Sequence, residues 1–248
     1  MRFSAHIGLV SSVTLGLLAA GLASSSAEAR TLNINASDSA MAVDAVFVNG
    51  TTGTGDFLDG PVPEPGAGGN NVLRAGQFGG RIQRPIVAIP LPALDPNEVL
   101  VGANFRFSTA FDSGNPQFGA DLEAIGVRSS GTIQASDYEE PGTLIDDGVL
   151  FPGVPDFSTR RLDVVGEASL LTYLTTNYSA GDFLFLRFTT DTISPPDFKW
   201  YRIFAHNSGS GSTPRLELET FVIPEPATAG AGLVGLIAVG MRRRRSSV

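Results

Sequence analysis

Asn104-Phe105-Arg106-Phe107-Ser108 is the stretch on which the fold turns. Its two phenylalanines fall on one face of an extended chain and Arg106 falls on the other, the two-residue period of a strand with one buried face. The alternation lies within a predicted strand, Val99 to Ser108. The same period appears downstream, where Phe183 and Phe185 share a face with Arg187, and where Leu216 and Leu218 alternate with Glu217 and Glu219. Further strands are predicted at Leu32 to Asn35, Val43 to Asn49, Val72 to Gly76, Pro85 to Ile89, Leu122 to Arg128 and Trp200 to His206. Gly, Pro, Asn and Asp clusters separate them. One segment, Gly166 to Leu174, places Leu170, Leu171 and Leu174 at helical spacing and is expected to end near Asn177, before Gly181. Nine strands and one short helix predict an all-β antiparallel β-sandwich of jelly-roll type. Two long connections, Gly50 to Asn71 and Ser129 to Arg161, are expected to be loops.

The two ends of the 248-residue chain differ from this middle. Arg2 opens a cationic start, an apolar run follows from Ile7 to Ala23, and Ala27 and Ala29 stand in the A-x-A arrangement of a signal-peptidase site, with Arg30 as the expected first mature residue. Residues 1–29 therefore read as a signal peptide with a helical apolar core, residues 30–221 as the β-sandwich domain, and residues 222–248 as a tail. In the tail Pro224-Glu225-Pro226 precedes an apolar span from Ala227 to Met241, and Arg242, Arg243, Arg244 and Arg245 follow it. Those 15 residues fall short of the roughly 20 that a comfortable membrane-spanning helix needs. The span suits transient residence as a transmembrane-like helix, and the arginines would hold its end on the cytoplasmic side.

This tail resembles the PEP-CTERM sorting signal: the tripeptide, the span and the arginine cluster are present in order at the end of the chain. The resemblance covers about 25 residues. It implies cleavage near Pro224-Glu225-Pro226 by an exosortase-like transpeptidase, then release or transfer to a surface carrier, often in exopolysaccharide-producing Gram-negative bacteria. A second Pro-Glu-Pro, at Pro63 to Pro65, has no apolar span behind it and reads as coincidence.

Once the ends are removed, Arg2, Arg242 to Arg245, Glu28 and Glu225 go with them, leaving 12 basic and 23 acidic side chains, a net charge of −11. Such a body repels nucleic acid phosphates and anionic headgroups, and suits solubility, neutral ligands and divalent cations. With no cysteine in the chain, disulfides, thiolate zinc sites and a cysteine nucleophile are all excluded.

The body also resembles a DNRLRE-type β-sandwich, a carbohydrate-binding-module-like domain of bacterial surface proteins. The residues that carry this are Asp44 to Phe47, Asn70 to Gly76, Arg84 to Pro92, Val101 to Phe107 and Ser212 to Leu218, with the helical segment before the penultimate strands. The Asp-Thr pair usual at that helix start is absent, and Asp163-Val164-Val165 is its nearest equivalent.

No constellation reads as an active site. His206, the one histidine of the body, precedes a Gly/Ser loop and no G-x-S-x-G elbow is present, so it is expected to be a loop histidine without a catalytic role. Glu139-Glu140 and Asp146-Asp147 could supply glycoside-cleaving carboxylates only if the fold set two acids across a cleft. Oxygen-rich bends at Asp56, Asp59, Asp112, Asp146 and Asp147 could hold structural calcium, with solvated turns as the alternative. Trp200 and Tyr201 could stack on a sugar ring, with sandwich-core aromatics as the alternative. No other cofactor is expected. The reading is an exported, non-enzymatic surface or matrix protein whose partners are signal peptidase, the exosortase-like enzyme, transiently the inner membrane and possible exopolysaccharide. A secreted polysaccharide hydrolase is the rival, requiring a cleft between the Asp137 to Asp147 region and the Asp56 region.

Overall fold

The computed structural model describes residues 28–44, 54–63, 71–110, 114–193, 195–208 and 212–223. Thirteen strands and one α-helix are formed among them, and every strand pairing is antiparallel. The smaller sheet has the order β1 (Ala29–Asn35), β13 (Arg215–Val222), β7 (Glu98–Ser108), β10 (Thr159–Arg161). The larger runs β12 (Lys199–Phe204), β5 (Asn71–Phe78), β6 (Arg81–Pro90), β11 (Phe183–Thr190), β8 (Ala120–Arg128), β9 (Thr143–Leu150). β2 (Asp38–Asp44) also pairs with β6, β3 (Gly55–Asp59) with β2, and β4 (Val62–Pro63) with β5.

The alternation of β7 places its aromatics where the two sheets meet. Phe105 and Phe107 are buried and stack at 5.7 Å, and Phe188 of β11 meets the Phe107 ring edge-on at 5.0 Å. Leu216 and Leu218 of β13, Val87 and Ile89 of β6, and Leu184 and Leu186 of β11 complete the same core. Val101 is the extra residue of a bulge, since Glu219 pairs with Gly102 while Thr220 pairs with Leu100.

β6 and β11 are apolar on both faces, because the second face of the larger sheet is covered too. Ile82, Ile86, Ala88 and Phe185 on that face pack against Ile125, Ile133 and Tyr138. The last two come from the connection between β8 and β9, which includes a 3-10 turn at Ala135–Tyr138. Strands buried on both sides carry near-continuous hydrophobic runs, as Ile86 to Ile89 and Phe183 to Leu186 do. Three arginines fasten this cover. Arg187 donates to the carbonyls of Asp137 and Tyr138 at 2.8 and 2.9 Å and to Glu123 at 3.1 Å. Arg84 donates to the Tyr138 carbonyl at 2.7 Å, and Arg128 pairs with Asp137 at 2.6 Å.

The expectation of two loop-only connections is thereby corrected. Gly50 to Asn71 contains β3 and β4, and Ser129 to Arg161 contains the 3-10 turn, β9 and β10. β9 was concealed because Asp146, Asp147 and Gly148 interrupt its apolar pattern and its register against β8 shifts twice. The strand predicted at Val43 to Asn49 occupies Asp38–Asp44, and residues 45–49 lie outside the described residues. The helix α1 (Val164–Asn177) forms where expected, with Leu170 and Leu174 buried. Its N-cap is Asp163, whose carboxylate accepts from the Gly166 amide at 2.8 Å.

Candidate functional site

Both chain ends that carry the sorting expectations lead to one strand pair. Ala29 of β1 lies opposite Phe221 of β13, and the Val222 amide donates to the Glu28 carbonyl at 3.2 Å. The Ile223 amide donates to the carbonyl of Asn97 at 2.8 Å, and Asn97 adopts a left-handed φ of 68° that asparagine tolerates better than most residues. Ordered backbone hydrogen bonding thus continues to the residue before Pro224. Ala27, Pro224, Glu225, Pro226 and Arg242 to Arg245 lie outside the described residues. Ala29 does not: it is the first residue of β1. Among the described residues no helix is long and apolar enough to cross a membrane.

The two aromatics proposed for sugar stacking are core residues. Tyr201 is 1% exposed, meets Phe118 edge-on at 5.6 Å, and donates its hydroxyl to the Phe118 carbonyl. Trp200 is 6% exposed, and its ring is bounded by Phe78 at 5.1 Å and by the Arg74 guanidinium at 5.4 Å. The rings exposed nearby belong to Phe78 and Phe198. Neither Trp200 nor Tyr201 offers a free face to a sugar, which corrects their reading as a platform.

The candidate calcium ligands are dispersed. Asp56 and Asp59 lie on β3, where Asp56 accepts from the Thr54 hydroxyl at 3.3 Å. Asp146 is buried and Asp147 is exposed. Asp146 accepts from the Asp163 amide at 3.1 Å, and burial raises its pKa. Asp112 lies outside the described residues. Among the described residues no three acidic, histidine or cysteine side chains come together in a way that could hold a metal ion.

Asp121, which the sequence did not single out, is a perturbed carboxyl. Burial, with repulsion from Asp191 and Asp147, pushes its carboxyl up to about 6, against a hydrogen bond from the Gly148 amide that works the other way.

Two of the acids in the region that the hydrolase reading needs, Asp137 and Glu139, are tied into the scaffold. Asp137 is paired with Arg128, and Glu139 accepts from the Gly55 amide at 3.0 Å. β3 and the 3-10 turn are in direct contact: a Cβ at Gly55 would lie 2.1 Å from the Ala135 carbonyl oxygen. They leave no space for a saccharide at that junction. His206 lies in a turn after β12, with Nδ1 2.8 Å from Ser39 Oγ. That Oγ also accepts from the His206 amide at 3.0 Å, and Ser39 is 1% exposed, so the pair ties β2 to the turn after β12 and the hydroxyl is closed to a substrate.

A groove of about 540 Å³ lies between α1 and the polar face of the smaller sheet. Glu217 is its hub, receiving Arg161 and, at 3.0 Å, Arg215, with Arg106 at 3.7 Å. Burial raises the Glu217 carboxyl, and these guanidiniums more than offset it, so it titrates below the usual range. Asn104 bridges the groove by donating to Glu167 while accepting from the Leu162 amide at 3.3 Å. The polar side of the β7 and β13 alternation pointed to this face, but Arg161 and Glu167 join it only through the tertiary fold.

No family model matches the chain, and no curated protein matches it.

Proposed function

We propose that this chain is an exported, non-enzymatic surface or extracellular-matrix protein whose last 25 residues serve as a removable sorting handle. Its leader is taken off at Ala29–Arg30 by signal peptidase during export across the inner membrane. The tail is then cut near Pro224-Glu225-Pro226 by a transpeptidase of the exosortase type, and the acidic body is released into, or attached to, an exopolysaccharide layer. In this reading the two sheets are a jelly-roll-type sandwich related to the DNRLRE carbohydrate-binding-like modules.

One observation carries the proposal: strand β13 runs to Val222, the Ile223 amide is still bonded to the Asn97 carbonyl, and the next three residues in sequence are the Pro-Glu-Pro motif. The sequence that follows Ile223 has the order of Pro-Glu-Pro tripeptide, marginal apolar span and cationic stop that a removable handle needs. Engagement of Asp137, Glu139 and Asp146 in structural bonds favours this reading over the hydrolase.

The test is intact-mass analysis of secreted and membrane fractions from the producing cell. A secreted chain beginning at Arg30 and ending near Pro226 is the expected result. An intact Arg242 to Arg245 tail in every fraction would overturn it.

A further inference from the structure

The register of β1 against β13 sets the residues before the expected leader cut beside Phe221 and Val222, the strand residues that lead to Pro224 in sequence. Glu28 and Ala29, the last leader residues before the expected cut, are already in the ladder: Ala29 pairs with Phe221, and the Glu28 carbonyl accepts from the Val222 amide. Removing residues 1–29 deletes this acceptor. Phe221 and Val222 would then be held only from the other side, by Val99 and Glu98 of β7, with Ile223 still bonded to Asn97.

We propose that leader removal loosens the end of β13 and thereby licenses cleavage of the tail, so that the two cuts occur in a set order. The inference rests on the reading of both ends given above. A protease that binds its substrate as an extended strand needs a few residues upstream of the scissile bond, and upstream of Pro224 those residues are Phe221, Val222 and Ile223. They must leave the sheet before the enzyme can engage, so the rate of tail cleavage scales with the fraction of molecules in which they have done so. Losing one backbone acceptor raises that open fraction roughly threefold to tenfold.

The order is also enforced in the other direction. The Ala29–Arg30 peptide lies inside β1, so once β13 has docked the leader's scissile bond is protected by the same ladder. β13 is the last strand in the chain among the described residues. The leader is therefore accessible while export proceeds and is closed off when residues 215–222 arrive. Hydrolysis at Ala29–Arg30 consumes one water and leaves an Ala29 carboxylate and an Arg30 ammonium. In the later step the peptide C–N bond near the tripeptide breaks, the acyl group passes to water or to an acceptor amine, and the new amine departs with the apolar span.

The test keeps the full chain and moves only the first cut. Ser25→Ala with Ala29→Leu shifts the small-residue pair to positions 25 and 27, so that the exported chain begins at Glu28 and retains the acceptor for Val222. Pulse–chase analysis with intact-mass readout should show tail cleavage slowed threefold to tenfold relative to the unaltered chain. An unchanged rate, with the N-terminus verified at Glu28, overturns the inference. Hydrogen exchange provides a readout independent of sorting: the peptide covering Phe221 to Ile223 should exchange faster in the chain that begins at Arg30. Equal exchange overturns the inference whatever the state of the tail. Faster exchange with an uncut tail supports the loosening and removes the sorting reading instead.

Discussion

Arg187 donates to the backbone carbonyl of Tyr138 at 2.9 Å, and with that bond the larger sheet holds down the connection that covers its second face. The Arg187 side chain is only 5% exposed. It also serves the Asp137 carbonyl, Glu123 and the Thr189 hydroxyl, so a planar fork reaches four acceptors at once. Truncation to Ala removes the donor to the Asp137 carbonyl and the cation beside Glu123, while the Tyr138 carbonyl keeps Arg84. Arg187→Ala should cost about 3 kcal/mol in urea unfolding, and Arg187→Lys should recover less than half of that. A loss under about 0.5 kcal/mol, the scale of an ordinary surface substitution, would show that the cover does not depend on the arginine.

Gly76 and Trp200 make a second close relationship. Gly76 has φ +143°, and a Cβ there would fall 2.3 Å from the Lys199 carbonyl oxygen and 2.8 Å from the Trp200 Cα. Gly76→Ala should destabilise by about 2 kcal/mol or more, because backbone strain and a clash with main-chain atoms both act. Gly60→Ala is the contrast, since its Cβ would meet nothing within 4 Å. It should be neutral or stabilising by about 0.5 kcal/mol through the unfolded chain. Thermal melts of the two variants decide the matter.

Burial of Trp200 predicts what its removal does. Trp200→Ala should lower stability by about 3–5 kcal/mol, the range for a large aromatic deleted from a core. Any glycan binding of the intact protein should then fall only as far as the folded fraction falls. Selective loss of binding in a fully folded Trp200→Ala chain would reinstate the ring as a contact residue.

Asp121 sets a pH dependence. Its carboxyl titrates at about 6 in the folded chain, against about 3.9 for an unperturbed aspartate. The folded state therefore binds that proton more tightly, so stability increases as pH falls from 7 towards 4 and is lost as pH rises through about 6. The carboxyls of Glu98 and Glu217, both depressed, oppose this only at lower pH, below their unfolded values near 4.5. Because Asp121 is partly solvated, the gain is modest, about 1 kcal/mol or about 2 °C in Tm. Melting curves should show a higher Tm at pH 5 than at pH 7.5, and Asp121→Asn should raise the pH 7.5 value and flatten the profile. A wild-type Tm that falls steadily from pH 7.5 to pH 5 would refute this.

The strands with one wet face were legible because a period of two survives in the residues themselves. Phe105, Phe107, Leu216 and Leu218 point inward where the alternation placed them. Helix α1 was legible because leucines at helical spacing precede Gly181, and Asp163 supplied its cap without having been recognised as one. β9 and β10 were not, since one carries acids and a glycine amid its apolar residues and the other is three residues long. The ring platform failed at Trp200 because nothing local tells an aromatic turned into a core from one turned to solvent.

The sequence alone determined the all-β class, the acidity of the body and the composition of both ends, because each depends on residue type and spacing along the chain. The tertiary structure decided the rest. It set Arg84, Arg128 and Arg187 beneath one cover, brought Asp147 and Asp191 close enough to raise the Asp121 carboxyl, and laid Glu28 beside Val222. Asp121 and Asp191 are 70 residues apart in sequence and Glu28 and Val222 are 194 apart, so only the folded sheets bring them together.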